Sequence, residues 1–288
     1  MADETIIAWT DHTFNPWMGC TKVSEGCRNC YAETLTKNRM GLSLWGPQTG
    51  RQVTKAPWQN VLKWNAAAKT VGVVRRVFTG SLMDWAEDRR DLDEPRRRMW
   101  DLIRRCDGLH FQMLTKRPEN IARFLPSDWG DGYPNVWLGT TIEDMRVADR
   151  ADHLRVIPAA VRFISYEPAI GPLDDLNLTG IDWVIYGGES GPGHRPEDKK
   201  WARVMKAKCE AVGVAFFHKQ SAGYRTELGI ELDGEIVREY PTVRVPLVMA
   251  PPKRTRAGSD TTDTPANHAG EGGSTPTPAL HTPAEVPA

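Results

Sequence analysis

Short apolar runs rich in β-branched and aromatic residues recur along the chain, at residues 5–9 (TIIAW), 75–80 (RRVFTG), 109–114 (LHFQML), 135–140 (NVWLGT), 161–166 (VRFISY), 182–187 (DWVIYG) and 214–218 (VAFFH). Runs of this length and composition read as buried strands. Between them, residues 94–105, 118–125, 142–156 and 198–212 carry the mixed pattern of amphipathic helices. Strand alternating with helix predicts an α/β fold with a parallel sheet and crossover helices. The sheet is either a partial or complete TIM-like barrel or an open, doubly wound one. Near the end of the pattern, Asp233 and Gly234 stand between IEL and EIV, the signature of a tight C-terminal β-hairpin.

Polar residues fall at the ends of these runs. Asp84 and Glu87 follow the second, Lys116 and Arg117 the third, Glu143 and Asp144 the fourth, Glu167 the fifth, Glu189 and Ser190 the sixth, and Lys219 and Gln220 the last. In parallel α/β folds ligands bind at the carboxyl ends of the strands, so the set is expected to converge on one mouth. Asp84, Lys116, Arg117, Glu143, Glu167 and Lys219 are the candidate catalytic residues. In YGGESGPGHRP (186–196), Gly187 and Gly188 let backbone amides approach a ligand, Glu189 accepts from an amine or hydroxyl, and His194 with Arg195 recognises anions. Trp17, Trp45, Trp58 and Trp85 are expected as core or loop anchors, and His110 and His218 as core groups.

The loop after the first run holds Cys20, Cys27 and Cys30 in GCTKVSEGCRNCYAE. Thiolates are soft ligands for zinc or iron–sulfur clusters, and the spacing of Cys27 and Cys30 lets one turn grip one metal or cluster. Three sulfurs leave a coordination position open, as reactive sites do. Cys106, Cys209 or His12 could close it into a structural zinc site.

Composition admits this chemistry without specifying it. The 288 residues are 40% hydrophobic, enough for a sizeable core, with net charge zero and pI about 7.1. No overall basic field advertises nucleic acid. The start MADETIIAWT is not a signal segment, and no apolar run reaches the roughly 18 residues of a membrane helix. A cytoplasmic protein with no membrane association is expected, and in that compartment clustered thiols bind metal rather than pair. Residues 1–250 are read as the α/β domain, and 251–288, rich in Pro, Thr, Gly and Ala, as a disordered tail.

The segments TDHTFNPWMGCTKVSEGCRNCYAE, FTGSLMDWAED, LTKRPE, LGTTIED, SYEPAIGP, VIYGGESGPGHRP and LDGE together resemble the phage-related three-cysteine-motif proteins, a family of unknown function. Members are similar to radical S-adenosylmethionine enzymes. The resemblance implies a partial α/β barrel with a four-iron four-sulfur (4Fe–4S) cluster on Cys20, Cys27 and Cys30. It further implies S-adenosylmethionine and an electron donor as partners, with the cofactor near Tyr31, Ser81, Thr140, Gly187, Gly188 and Glu189. The usual motif of such enzymes has three residues between its first two cysteines; here there are six. Reductive cleavage of the cofactor to a 5′-deoxyadenosyl radical is the implied chemistry, with a nucleic acid or nucleotide among the substrates considered. The contrasting expectation is a nucleic-acid-binding or host-interaction protein in which metal only staples the loop, without radical chemistry.

Overall fold

The computed structural model describes residues 5–243. Its strands, in chain order, are β1 (His12–Phe14), β2 (Trp17–Met18), β3 (Gln52–Val53), β4 (Arg75–Thr79), β5 (Leu109–Thr115), β6 (Val136–Thr141), β7 (Val161–Tyr166), β8 (Trp183–Gly187) and β9 (Ala215–Gln220). The helices are α1 (Tyr31–Met40), α2 (Pro57–Val71), α3 (Asp93–Arg104), α4 (Ile121–Phe124), α5 (Arg150–Arg155) and α6 (Lys199–Val212). A seven-stranded sheet runs in the order β1-β4-β5-β6-β7-β8-β9, every pair parallel. Because each strand lies beside its predecessor in that order, the sheet winds in one direction and curls into a half-barrel instead of reversing as a doubly wound sheet would.

Strand alternation assigns the two faces. Val77, Leu109, Phe111, Met113, Val136, Leu138, Ile164, Tyr166, Val184, Tyr186 and Phe216 join the main core with Val61, Trp64, Met99, Ile103 and Met205 of the helices. The next residue along each strand faces the other way. Phe78, Trp137, Phe163, Trp183, Ile185 and Phe217 form a second cluster on the concave face. It is an aromatic plug: the Trp183 ring meets those of Trp137 and Phe217 edge-on, at 5.9 and 6.1 Å between centroids. Each such pair adds about 0.5–1.5 kcal/mol beyond area burial. Further along the same face towards the carboxyl ends the residues turn polar, with Ser165, Glu167 and Lys219 replacing the rings.

The first strand lies later than expected. Residues 5–9 are not a strand; Trp9 is 2% exposed and caps the plug against Phe78, 4.5 Å away. The ladder begins at His12, which pairs with Val77. The 142–156 helix also starts late, at Arg150, because the Asp144 carboxylate accepts from Arg146 N at 2.9 Å and holds a tight turn there. At Asp233 and Gly234, both at positive φ, Leu232 and Glu235 exchange two backbone hydrogen bonds, and Arg238 then bridges antiparallel to Phe217. Trp17, Trp58 and Trp85 are buried and Trp45 donates to Thr36 Oγ1, as anchors should. His218 stacks on Tyr186 and His110 packs on Trp137. Among the described residues no helix is long and apolar enough to cross a membrane. The tail read at 251–288 lies outside the described residues.

Candidate functional site

The cysteine loop leaves the carboxyl end of β1 and is fastened to its surroundings residue by residue. Gly19 N donates to Leu82 O beyond β4, and Cys20 O accepts from Gly46 N at 2.9 Å. Gly26 is required by close approach: a Cβ there would lie 2.3 Å from Glu143 Cγ and Oε1. Its neighbour Ser24 donates to that same Oε1 at 2.9 Å. On the other side of the loop, Asn29 Nδ2 donates to Glu189 Oε2 and Gly193 O, both at 3.0 Å. The loop is therefore clamped between the ends of β6 and β8. Cys30 caps α1, and Tyr31, half exposed, reaches from that helix to donate to Ser81 O at 2.7 Å.

Two of the thiols are set in a charged, dry environment. Burial pushes the Cys20 thiol up to about 12, with Asp84 adding to the rise and Arg117 opposing it. Arg117 Nη1 lies 3.6 Å from Cys20 Sγ. Burial likewise raises Cys30, against the first-turn amides of α1 and the charge of Lys116. Cys27 is buried, with Ser24 Oγ 3.8 Å from its sulfur. Thus the two cations that end β5 each act on a different cysteine.

The charged residues at the strand ends divide by how fully they are used. Asp84 accepts from Thr115 Oγ1 (2.6 Å), Ala86 N (3.0 Å), Lys116 N (3.0 Å) and Arg117 Nη1 (2.8 Å), which occupies both oxygens twice. Glu87 is gripped bidentately by Arg51, whose side chain is fully buried. Glu143 takes Arg150, Ser24 and, at 3.3 Å, Lys116. Glu189 takes both the side chain and backbone of Arg195 besides Asn29. Burial works to raise its pKa, but the Arg195 contacts overcome this and hold the carboxyl below the usual range. Asp144 is spent on Arg146. Glu167 has Lys219 Nζ at 2.7 Å and Ser165 Oγ at 3.3 Å.

Gly187 and Gly188 make room: a Cβ at Gly187 would stand 2.7 Å from Glu167 Oε1, and one at Gly188 2.1 Å from Ala222 N. Thr140 lies on the helix-side face with Leu138, and its hydroxyl is donated to Thr115 O at 3.0 Å, which turns it from the concave face where a cofactor contact was expected. Gln220 ties Gly188 O to Thr226. Sequence reading did not single out Arg51, Asn29 or Arg150, the partners that saturate Glu87, Glu189 and Glu143. Arg51 and Arg150 lie in unremarkable polar stretches and Asn29 sits between Cys27 and Cys30, and only the fold shows which carboxylate each one meets.

The three residues expected as a closing fourth ligand lie elsewhere. Cys106 and Cys209 are in the helix-side core, each just ahead of the amino end of a strand, β5 and β9. The cysteine loop lies at the opposite ends, and a six- or seven-residue strand spans about 20 Å. His12 stacks flat on Trp64 at 4.3 Å. Among the described residues no three His, Cys, Asp or Glu side chains converge closely enough to hold a single metal ion.

One family model matches the chain, over residues 4–258, and the family is described as Protein of unknown function (DUF5131). No curated protein matches, and no solved structure does.

Proposed function

The chain belongs to the DUF5131 family, and from the site itself we propose that it is an iron–sulfur enzyme of the radical S-adenosylmethionine type, working in the cytoplasm with a one-electron donor. The observation that carries this reading is the chemistry of the donor set. Three thiols, with no fourth soft ligand beside them among the described residues, stand over the carboxyl edge of a half-barrel, with Arg117 at one sulfur and Lys116 acting on another. A single zinc ion needs its ligands around one point, whereas a cubane cluster takes each thiolate on a different iron, so separated sulfurs suit the cluster better.

Cys20, Cys27 and Cys30 would hold a 4Fe–4S cluster, which together with S-adenosylmethionine supplies reductive cleavage of a carbon–sulfur bond. The protein's own part is charge and exclusion. Arg117 and Lys116 offset the negative charge of ligated thiolates in a site where burial alone would keep the sulfurs protonated. The aromatic plug fills the amino end of the concave face and keeps water from that side of the site. Glu167 and Lys219, lining that mouth, orient what enters.

Anaerobic purification with iron, sulfide and zinc quantified, followed by electron paramagnetic resonance of the reduced protein, tests the reading. About four irons and four sulfides per chain are expected, with a spectrum that changes on adding S-adenosylmethionine. Stoichiometric zinc without sulfide would overturn the proposal and leave a stapled loop.

A further inference from the structure

Most strand-end carboxylates are committed to the fold, and one is not. Asp84, Glu143 and Glu189 have side chains 6%, 1% and 4% exposed and take at least three donors each. Glu167 and Lys219 are 15% and 18% exposed, and Lys219 meets Glu167 as its ion-pair partner. The pair also lies on the concave face. Trp183 and Ile185 of β8, Phe163 of β7 and Phe217 of β9 belong to the plug, so two-residue alternation puts Gly187, Ser165 and Lys219 on the same side. Tyr166 is opposite Tyr186, and Tyr186 opposite His218; a bulge then pairs Gly187 with Gln220 and leaves Lys219 as the extra residue beside Gly187, where a Cβ would stand 2.7 Å from Glu167 Oε1. The ion pair thus spans β8, passing over a residue with no side chain to block it.

The geometry points to Glu167 and Lys219 as a binding site for a zwitterion, the α-ammonium and α-carboxylate of an amino acid or aminoacyl group. Charge conservation selects this class. A ligand that enters between the two must part them, and a half-buried charge left alone is costly. An anion would take Lys219 and strand Glu167; a cation would do the reverse; a neutral ligand would strand both. A zwitterion gives each residue an opposite charge in exchange, its ammonium to the carboxylate and its carboxylate to the lysine. The short spacing of charges in an α-amino acid suits two groups that are 2.7 Å apart before it enters. This inference goes beyond the proposed chemistry and does not depend on a cluster.

The aminoacyl group could belong to a substrate or to an adenosyl compound, and ligand-observed saturation-transfer NMR on the full chain separates these. The probes are a mixture of the common free amino acids, S-adenosylhomocysteine, 5′-methylthioadenosine, succinate and putrescine. Free amino acids giving signals would assign the site to a substrate. Signals from S-adenosylhomocysteine but not from 5′-methylthioadenosine or free amino acids would assign it to an adenosyl-linked aminoacyl group. Either result should weaken at least about tenfold in Glu167→Gln or Lys219→Gln, since each removes one charge-assisted contact. The double variant Glu167→Lys with Lys219→Glu restores both charges in exchanged positions and should regain binding. Thermal unfolding of each variant checks that it is folded. Silence from every zwitterion, equal signals from succinate or putrescine, or unchanged binding in folded Glu167→Gln would overturn the assignment.

Discussion

Replacing Asp84 by asparagine separates a structural hub from a catalytic acid. The amide preserves shape and one acceptor. With Oδ1 retained, the Thr115 hydroxyl and Ala86 N keep their partner, but the new NH2 group faces Lys116 N and Arg117 Nη1, which are donors at 3.0 and 2.8 Å. Each buried donor left without an acceptor costs about 1–3 kcal/mol. Arg117, only 9% exposed, would retain Glu87 at 3.7 Å as its nearest carboxylate. Breaking a buried ion pair by removing one partner costs about 3–5 kcal/mol, and since that figure includes the orphaned guanidinium, the whole effect should be about 4 kcal/mol. Urea unfolding followed by tryptophan fluorescence reads it directly, because Trp85 adjoins the site and is buried. At a slope of about 2–3 kcal/mol per molar the midpoint should fall by roughly 1.5 M. A Thr115→Val control, which removes one of the four contacts and also the acceptor of Arg117 N at 2.9 Å, should cost about 2 kcal/mol. Should Asp84→Asn lose less than about 1 kcal/mol, the carboxylate is not holding the β4 and β5 ends together, and the case for Asp84 as a reacting group revives.

Gly26→Ala must displace Glu143, since the new Cβ would come within 2.3 Å of its carboxylate; overpacking of this kind costs about 1–3 kcal/mol, and a variant with wild-type thermal stability would contradict the close approach. Cys20→Ala should lower bound iron and sulfide while leaving the fold in place by circular dichroism, and full cluster content would remove Cys20 from the ligand set. Glu189 gives a pH dependence whose sign follows from its lowered pKa: the carboxylate is favoured in the folded chain, so its contribution is complete above the unfolded value of about 4.5 and is lost as pH falls towards the folded one. Stability measured from pH 6 down through pH 4 should therefore decline more steeply in the wild type than in Arg195→Met, and parallel slopes would show that Arg195 does not set that pKa.

The barrel was legible in the sequence because its signal is local. Runs such as VRFISY and DWVIYG show their strand character within six residues, and the polar residue after each marks the carboxyl edge without knowledge of any partner. The exceptions have physical causes. Residues 5–9 have a strand's composition, but Trp9 serves as the lid of the aromatic plug, a use that composition cannot distinguish from a ladder position. Helix α1 buries little beyond Ala32 and Thr36, so it offers no apolar stripe to read. Helix α2 does present one, with Trp58, Val61, Trp64 and Ala68 buried at helical spacing, and that signal was there to be found.

What local pattern cannot supply is which of several similar carboxylates remains available. Asp84, Glu143, Glu167 and Glu189 all follow a strand and look alike in the chain. The difference lies in donors far away in sequence: Ser24 and Arg150 for Glu143, Asn29 and Arg195 for Glu189, Thr115 and Arg117 for Asp84. Two of these donors, Ser24 and Asn29, come from the cysteine loop itself. The loop is held over the mouth by engaging the carboxylates of β6 and β8, and a buried carboxylate engaged by three or more donors has little acceptor capacity left for a substrate. Glu167, on β7 between them, receives nothing from the loop, and its one cation is a flexible lysine. The same demand that fixes the thiols therefore determines which acid is left to meet a ligand.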